Sequence, residues 1–150
     1  MEKIWLKNYD PTVRQSLPYD GEKTMVSFLE DAAKKYPQQI CLTGETNEYT
    51  YQETLEKVML VAQNMVRMGI KKGQKIGLSL PNCPEFVIAY YGILRAGAVV
   101  VAINPYYKER EYTYQIKDAG IDWLICSVEK VDAYQSLLKE GLIERIVCVK

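Results

Sequence analysis

Four groups of residues in this 150-residue sequence could do chemistry: Glu53 as a proton acceptor, Arg95 as an anion holder, Tyr106-Tyr107 as ligand contacts, and four cysteines as nucleophiles or metal ligands. The sequence has no histidine, which removes Ser-His-Asp and Cys-His catalysis together with histidine-ligated metals. Cys41, Cys83, Cys126 and Cys148 are widely spaced with no Cys-x-x-Cys pair, so they read as buried thiols of a reducing compartment. Glu53 closes the capping box Thr50-Tyr51-Gln52-Glu53, in which its carboxylate serves the helix start rather than a proton transfer. Arg95 falls where a helix should end, and a cation there complements the last carbonyls more simply than it holds a phosphate. Tyr106 and Tyr107 follow a strand end, where open α/β sheets place their sites, and are candidate contacts for a ligand or a partner domain. Neither Gly-x-Gly-x-x-Gly nor Gly-x4-Gly-Lys-Ser/Thr occurs, so the common phosphate cradles are missing. No catalytic, cofactor-binding or metal residue is therefore expected within these 150 residues.

The elements that must position these groups belong to one ordinary domain. A chain of this length buries roughly 70% of the surface its unfolded form exposes. Hydrophobic residues at 48% and charged residues at 25% match globular averages and exclude disorder, collagen and coiled coil. Nineteen basic and nineteen acidic side chains cancel, which argues against a nucleic-acid partner. The charged start Met1-Glu2-Lys3 is unlike a signal peptide, and the longest uncharged apolar run, Phe86 to Leu94, is far short of a membrane span. A cytoplasmic chain without a transmembrane segment is the expectation.

Residues 1–23 carry Trp5, Leu6, Tyr9, Val13 and Leu17 without a period, as in an extended arm lying on a surface. Thr24 caps a predicted helix with Met25, Phe28, Leu29, Ala32, Ala33 and Tyr36 inward, stopped by Pro37. Ile40 to Thr43 and Glu48 to Thr50 flank a turn as a short hairpin. From the Thr50 capping box a long helix runs to Gly69, with Leu55, Val58, Met59, Ala62, Met65 and Val66 inward and its methionines as core filler. From residue 75 the order is β-α-β-α-β-α-β: strands at Ile76 to Leu80, Ala98 to Ile103, Trp123 to Cys126 and Ile146 to Val149, with helices at Pro84 to Ala96, Lys108 to Ala119 and Glu129 to Leu138. Such alternation predicts a parallel sheet with helices on both faces. The uninterrupted apolar run Ala98 to Ile103 reads as a strand covered on both sides. Gly97 suits a helix end with positive φ, and Pro105 redirects the chain beyond the strand.

Three stretches, in order, resemble the N-terminal part of the acyl-adenylate-forming enzymes, the superfamily of acyl-CoA synthetases, luciferases and peptide-synthetase adenylation domains. Thr50-Tyr51-Gln52-Glu53 is similar to the family's first core motif, and Leu94-Arg95-Ala96-Gly97-Ala98 through Pro105 to its second. Between them stand Leu80-Pro81-Asn82-Cys83-Pro84-Glu85-Phe86 and Ala89-Tyr90-Tyr91-Gly92. Trp5-Leu6-Lys7-Asn8-Tyr9 and Asn104-Pro105-Tyr106-Tyr107 with Glu109-Arg110-Glu111 most resemble bacterial long-chain fatty-acid-CoA ligases. Thr54 stands where the first motif usually has leucine, and Arg14 where these ligases often repeat a proline.

The resemblance implies a parent enzyme that uses ATP, Mg and CoA: a fatty acid becomes an acyl-adenylate with release of pyrophosphate, and the acyl group then passes to the CoA thiol. It also implies that the phosphate loop, the magnesium motif, the ribose-binding aspartate and the C-terminal lysine lie downstream of this segment. Residues 1–150 then form a single N-terminal subdomain, inactive alone and binding no cofactor alone. Its partners are the remainder of the ligase chain and, through uncovered surface, other copies of itself, while the parent enzyme touches the membrane peripherally. The end of the sequence on an apolar strand fits the same expectation. An aryl or a short- or medium-chain ligase, or an adenylation domain, is the alternative within the superfamily. Outside it stands a free-standing α/β binding module whose twelve tyrosines, against two tryptophans and two phenylalanines, serve association.

Overall fold

The computed structural model describes residues 3–14, 16 and 21–149. In the arm, Ile4–Asn8 winds into a 3-10 helix rather than running extended, and Trp5, Tyr9 and Val13 are about half exposed; Leu17 lies outside the described residues. Helix α1 (Met25–Lys35) starts at Thr24, whose hydroxyl accepts from the Ser27 amide while Ser27 accepts from the Thr24 amide. Its buried face is Val26, Leu29 and Ala33, whereas Met25, Phe28 and Tyr36 are exposed. The inward stripe is thus turned by about one residue from the predicted one, because α1 packs on two further helices rather than on the sheet.

Strands β1 (Ile40–Thr43) and β2 (Glu48–Thr50) pair antiparallel as predicted. Helix α2 (Tyr51–Arg67) opens on the capping box: the Thr50 hydroxyl accepts from the Glu53 amide at 3.2 Å, and the Glu53 carboxylate accepts from the Thr50 amide at 2.8 Å. Thr54, Val58, Ala62 and Met65 form its buried face, while Met59, Val66 and Met68 are exposed. Of these methionines only Met65 is core filler. Thr54 itself takes the inward position, because its hydroxyl donates to the Thr50 carbonyl at 2.7 Å and so carries no unpaired donor into the core.

The remaining chain builds a parallel sheet from β3 (Lys75–Ser79), β4 (Val99–Ala102), β5 (Trp123–Ser127) and β6 (Arg145–Val149) in the order β4-β3-β5-β6. Pro84 opens α3 (Pro84–Arg95), and Gly97 follows it at φ +78°, a conformation that side chains with a Cβ resist. Helices α4 (Glu109–Ala119) and α5 (Val131–Lys139, entered through a 3-10 turn at Val128–Lys130) complete the crossovers. Alternate residues of the central strands supply two cores: Ile76, Leu78, Trp123 and Ile125 pack with Met65, Ala89 and Ile93, and on the other face Leu124 and Cys126 pack with Tyr112, Ile116, Tyr134 and Leu137.

One strand departs from expectation. β4 is not covered on both sides: it is an edge strand with Val99 exposed and Val100 and Val101 half-buried. Its apolar run is anchored instead by the flanking Ala98 and Ile103, both buried. Apolar continuity reports what the loops and ends of a strand contact as well as the strand itself.

Candidate functional site

Two concave features stand out. The first lies at the carboxyl ends of β3 and β4, a crevice of roughly 630 Å³ lined by Leu80, Pro81, Asn82, Phe86, Asn104 and Tyr106. Doubly wound sheets hold ligands where the strand order reverses, here between β3 and β5; the crevice forms one strand away, on the β4 side. Its β4 wall is a turn made by Asn104, whose side-chain oxygen accepts from the Tyr106 amide at 3.0 Å and whose carbonyl accepts from the Tyr107 amide at 3.1 Å. That turn thrusts Tyr106 out to 79% exposure, with Tyr107 at 40%. Both tyrosines therefore stand free to touch a ligand or another chain segment, as their position past a strand end predicts. Only Tyr106 borders this crevice; Tyr107 faces a neighbouring concavity with Lys108 and Tyr114.

Among the described residues lining the crevice, none is cationic. A phosphate chain needs cations or free backbone amides converging on it, and the amides of Phe86, Tyr106 and Tyr107 are already bonded within their own turns. Among the described residues no cluster of acidic, cysteine or histidine side chains can hold a metal ion. Arg95 is already engaged within the fold: its guanidinium pairs with the Glu30 carboxylate and ties α3 to α1. Glu53 is held below the ordinary carboxylate range by the Thr50 amide and hydroxyl that donate to it, both to the same oxygen, Oε2. Burial pushes the Cys41 and Cys83 thiols up, Glu85 adding to the effect at Cys83, and burial beside Cys148 pushes Cys126 to about 12. These three thiols are poor nucleophiles at neutral pH.

The second feature was anticipated only as uncovered surface, without a location. An apolar groove of roughly 640 Å³ opens on the α2/α3 face, between Leu60 and Met65 of α2, Met68 just past its end, Ile88 of α3, and Val147 and Val149 of β6. Leu60 is 56% and Met68 40% exposed. The alternation of β6 places Val147 and Val149 on this face, and no crossover helix covers them because α5 returns to the opposite face. The available signal in the sequence was the apolar pair Leu60 and Val61, which lies outside the predicted inward stripe of α2 and lines the groove.

A parallel sheet sandwiched by helices, with its loops gathered at the strand ends, defines an α/β ligand-binding class, and the comparisons with known proteins narrow that class. Residues 29–149 match the family model described as AMP-binding enzyme, and the chain belongs to that family. It is 36% identical over 124 residues to a long-chain-fatty-acid–CoA ligase of Bacillus subtilis, covering 83% of this chain and 22% of the relative. It is 27% identical to the ligase of the same name from Salmonella typhimurium, covering 100% of this chain and 27% of that one. The chain thus spans about a quarter of the length of the curated relatives it matches. Among solved structures, a long-chain-fatty-acid-CoA ligase from Archaeoglobus fulgidus superimposes with a TM-score of 0.80 over 89% of this chain and 28% of its own, at 24% identity, and so shares the fold. The architecture is the N-terminal domain fold of acyl-CoA ligases.

Proposed function

We propose that residues 1–150 act as the N-terminal subdomain of a cytoplasmic long-chain acyl-CoA ligase, one that activates a fatty acid with ATP and Mg and transfers it to CoA. The 36% identity to a long-chain-fatty-acid–CoA ligase over most of the chain carries this reading. Within it the segment is a scaffold. Among the described residues lining the crevice none carries a cation, and the Phe86, Tyr106 and Tyr107 amides are already bonded; cations and converging amides are the two means by which charge is neutralised in such a transfer. The segment's contribution is to present Tyr106 and the strand-end crevice toward the catalytic part, and to seat the remainder of the ligase chain in the apolar groove between α2 and β6. The four free thiols suit a reducing compartment. No helix among the described residues is long and apolar enough to cross a membrane, and we take any membrane contact of the parent enzyme to be peripheral.

The test is a chimera in which residues 1–150 replace the matching segment of the Bacillus subtilis relative, assayed for palmitate-dependent AMP release and acyl-CoA formation. The chimera is expected to retain palmitoyl-CoA synthesis, while the isolated chain gives no ATP–pyrophosphate exchange and no saturable Mg-ATP binding by calorimetry. A micromolar Mg-ATP site in the isolated chain contradicts the scaffold role. A folded chimera active on benzoate but not on palmitate moves the substrate class to the aryl ligases.

A further inference from the structure

Cys126 and Cys148 are directly opposite each other in the parallel pairing of β5 and β6. Parallel neighbours present paired residues on the same face, and here that face is the one on which Cys126 and Ile146 pack. Adjacent strands stand about 4.8 Å apart, inside the Cα separation that a disulfide spans, though wider than its preferred Cβ separation. Burial, and after it the neighbouring Cys148, raise the Cys126 thiol. Cys126 is fully buried and Cys148 is exposed on the edge strand. Among the described strands β6 pairs with β5 alone, so a shift toward β5 disturbs no other described ladder. The pair therefore combines an accessible thiol, a sequestered one held in register, and a backbone free to close the gap.

We propose that Cys126 and Cys148 form a reversible cross-strand disulfide, making the edge of this sheet a site of oxidative modification by hydroperoxides. In the first step the exposed Cys148 sulfur attacks the hydroperoxide: the O–O bond breaks, Cys148 becomes a sulfenic acid and one water (or alcohol) leaves. In the second, the Cys126 sulfur displaces the hydroxyl of that sulfenic acid, the S–S bond forms and a second water leaves; two thiols are oxidised by two electrons and one peroxide is reduced. The high proton affinity of the buried Cys126 makes the second step the slower one, offset by its fixed position beside the target. With Cys148 exposed, the disulfide is of the accessible kind that thiols reduce. The staple fixes β6, whose opposite face floors the apolar groove with Val147 and Val149.

The test treats the 150-residue chain with a small excess of hydrogen peroxide, then counts thiols with a maleimide mass tag after denaturation and maps peptides without reduction. Two of the four thiols should disappear, the chain should lose about two mass units, the linked peptides should contain Cys126 and Cys148, and glutathione should restore all four. Cys148→Ser, at an exposed edge position, should abolish the linkage without unfolding. Cys126→Ala should leave a Cys148 sulfenic acid that dimedone traps. Irreversible oxidation of Cys148 with Cys126 still free overturns the proposal. Linkage through Cys41 or Cys83, or disulfides only between chains, does so equally.

Discussion

The two faces of the sheet are built from the same strands by the same alternation, yet they end differently. On the α4/α5 face, Leu124, Cys126, Tyr134 and Leu137 are at most 1% exposed. The Tyr134 hydroxyl shares a 2.7 Å hydrogen bond with buried Ser79, and Tyr112 donates to the Ala133 carbonyl at 2.6 Å, tying α4 to α5. On the α2/α3 face the core is equally tight over β3, where Ile76, Leu78 and Ile93 are buried, but over β6 it opens into the groove. One face is finished by the chain's own crossovers. The other is finished only partly, and the unfinished part is a coherent apolar channel rather than scattered exposed residues.

The sharpest way to break this contrast is to truncate one leucine on each face. Leu124→Ala, in the closed face, should cost about 2–5 kcal/mol, while Leu60→Ala, on the rim of the groove, should stay within about 0.5 kcal/mol. Urea midpoints of the two variants decide it, and equal losses would mean that the groove is core. Next in size is Gly97→Val. At φ +78° it should cost about 1–3 kcal/mol, against less than about 1 kcal/mol for Arg95→Ala, which removes a partly exposed ion pair with Glu30. The same urea series ranks these two, and an Arg95 effect as large as that of Gly97 would give the α1–α3 tie a weight not expected of a surface pair. Tyr134→Phe should follow at about 1–2 kcal/mol, because Ser79 keeps its buried hydroxyl and loses its partner. A neutral result in thermal unfolding would mean that the hydrogen bond is replaced.

The smallest effect concerns the helix that forms the groove wall. Thr50→Ala should cost about 1 kcal/mol through loss of the cap. The Glu53 carboxyl is lowered from its ordinary 4.5 by hydrogen bonds from Thr50, so its support of the folded state is present above pH 4.5 and is lost as the pH falls through the depressed value. The difference in stability between the native chain and Glu53→Gln should therefore shrink on acidification below pH 4.5. A constant difference across that range in urea titrations would show that the cap does not depend on the charge.

Local rules reached most of the framework. Capping residues placed the starts of α1 and α2, Pro84 placed that of α3, Gly97 marked the end of α3, and the four parallel strands fell within a residue or two of their bounds. The errors share a cause. Which side of α1 faces inward, why Thr54 rather than Met59 is buried, and that the most apolar strand lies at an edge are all decided by neighbours distant in sequence. So is the Arg95 partner, Glu30. Strand order leaves no trace in a strand's own residues, and a groove assembled from α2, α3, β5 and β6 exists only once that order is set. At the candidate site, Tyr106 was legible because a strand-end loop is exposed by topology alone. The bonding of the Phe86, Tyr106 and Tyr107 amides within their own turns was not.

The central claim is that the groove is a docking surface awaiting another segment, and light scattering coupled to size exclusion across a dilution series tests it most directly. The isolated chain should associate through the uncovered groove and bind a hydrophobic dye, with both properties lost in Leu60→Asp and unaffected by Tyr107→Asp. A monomer at every concentration that binds no dye would contradict the account, because it would show that the chain covers its own core on both faces.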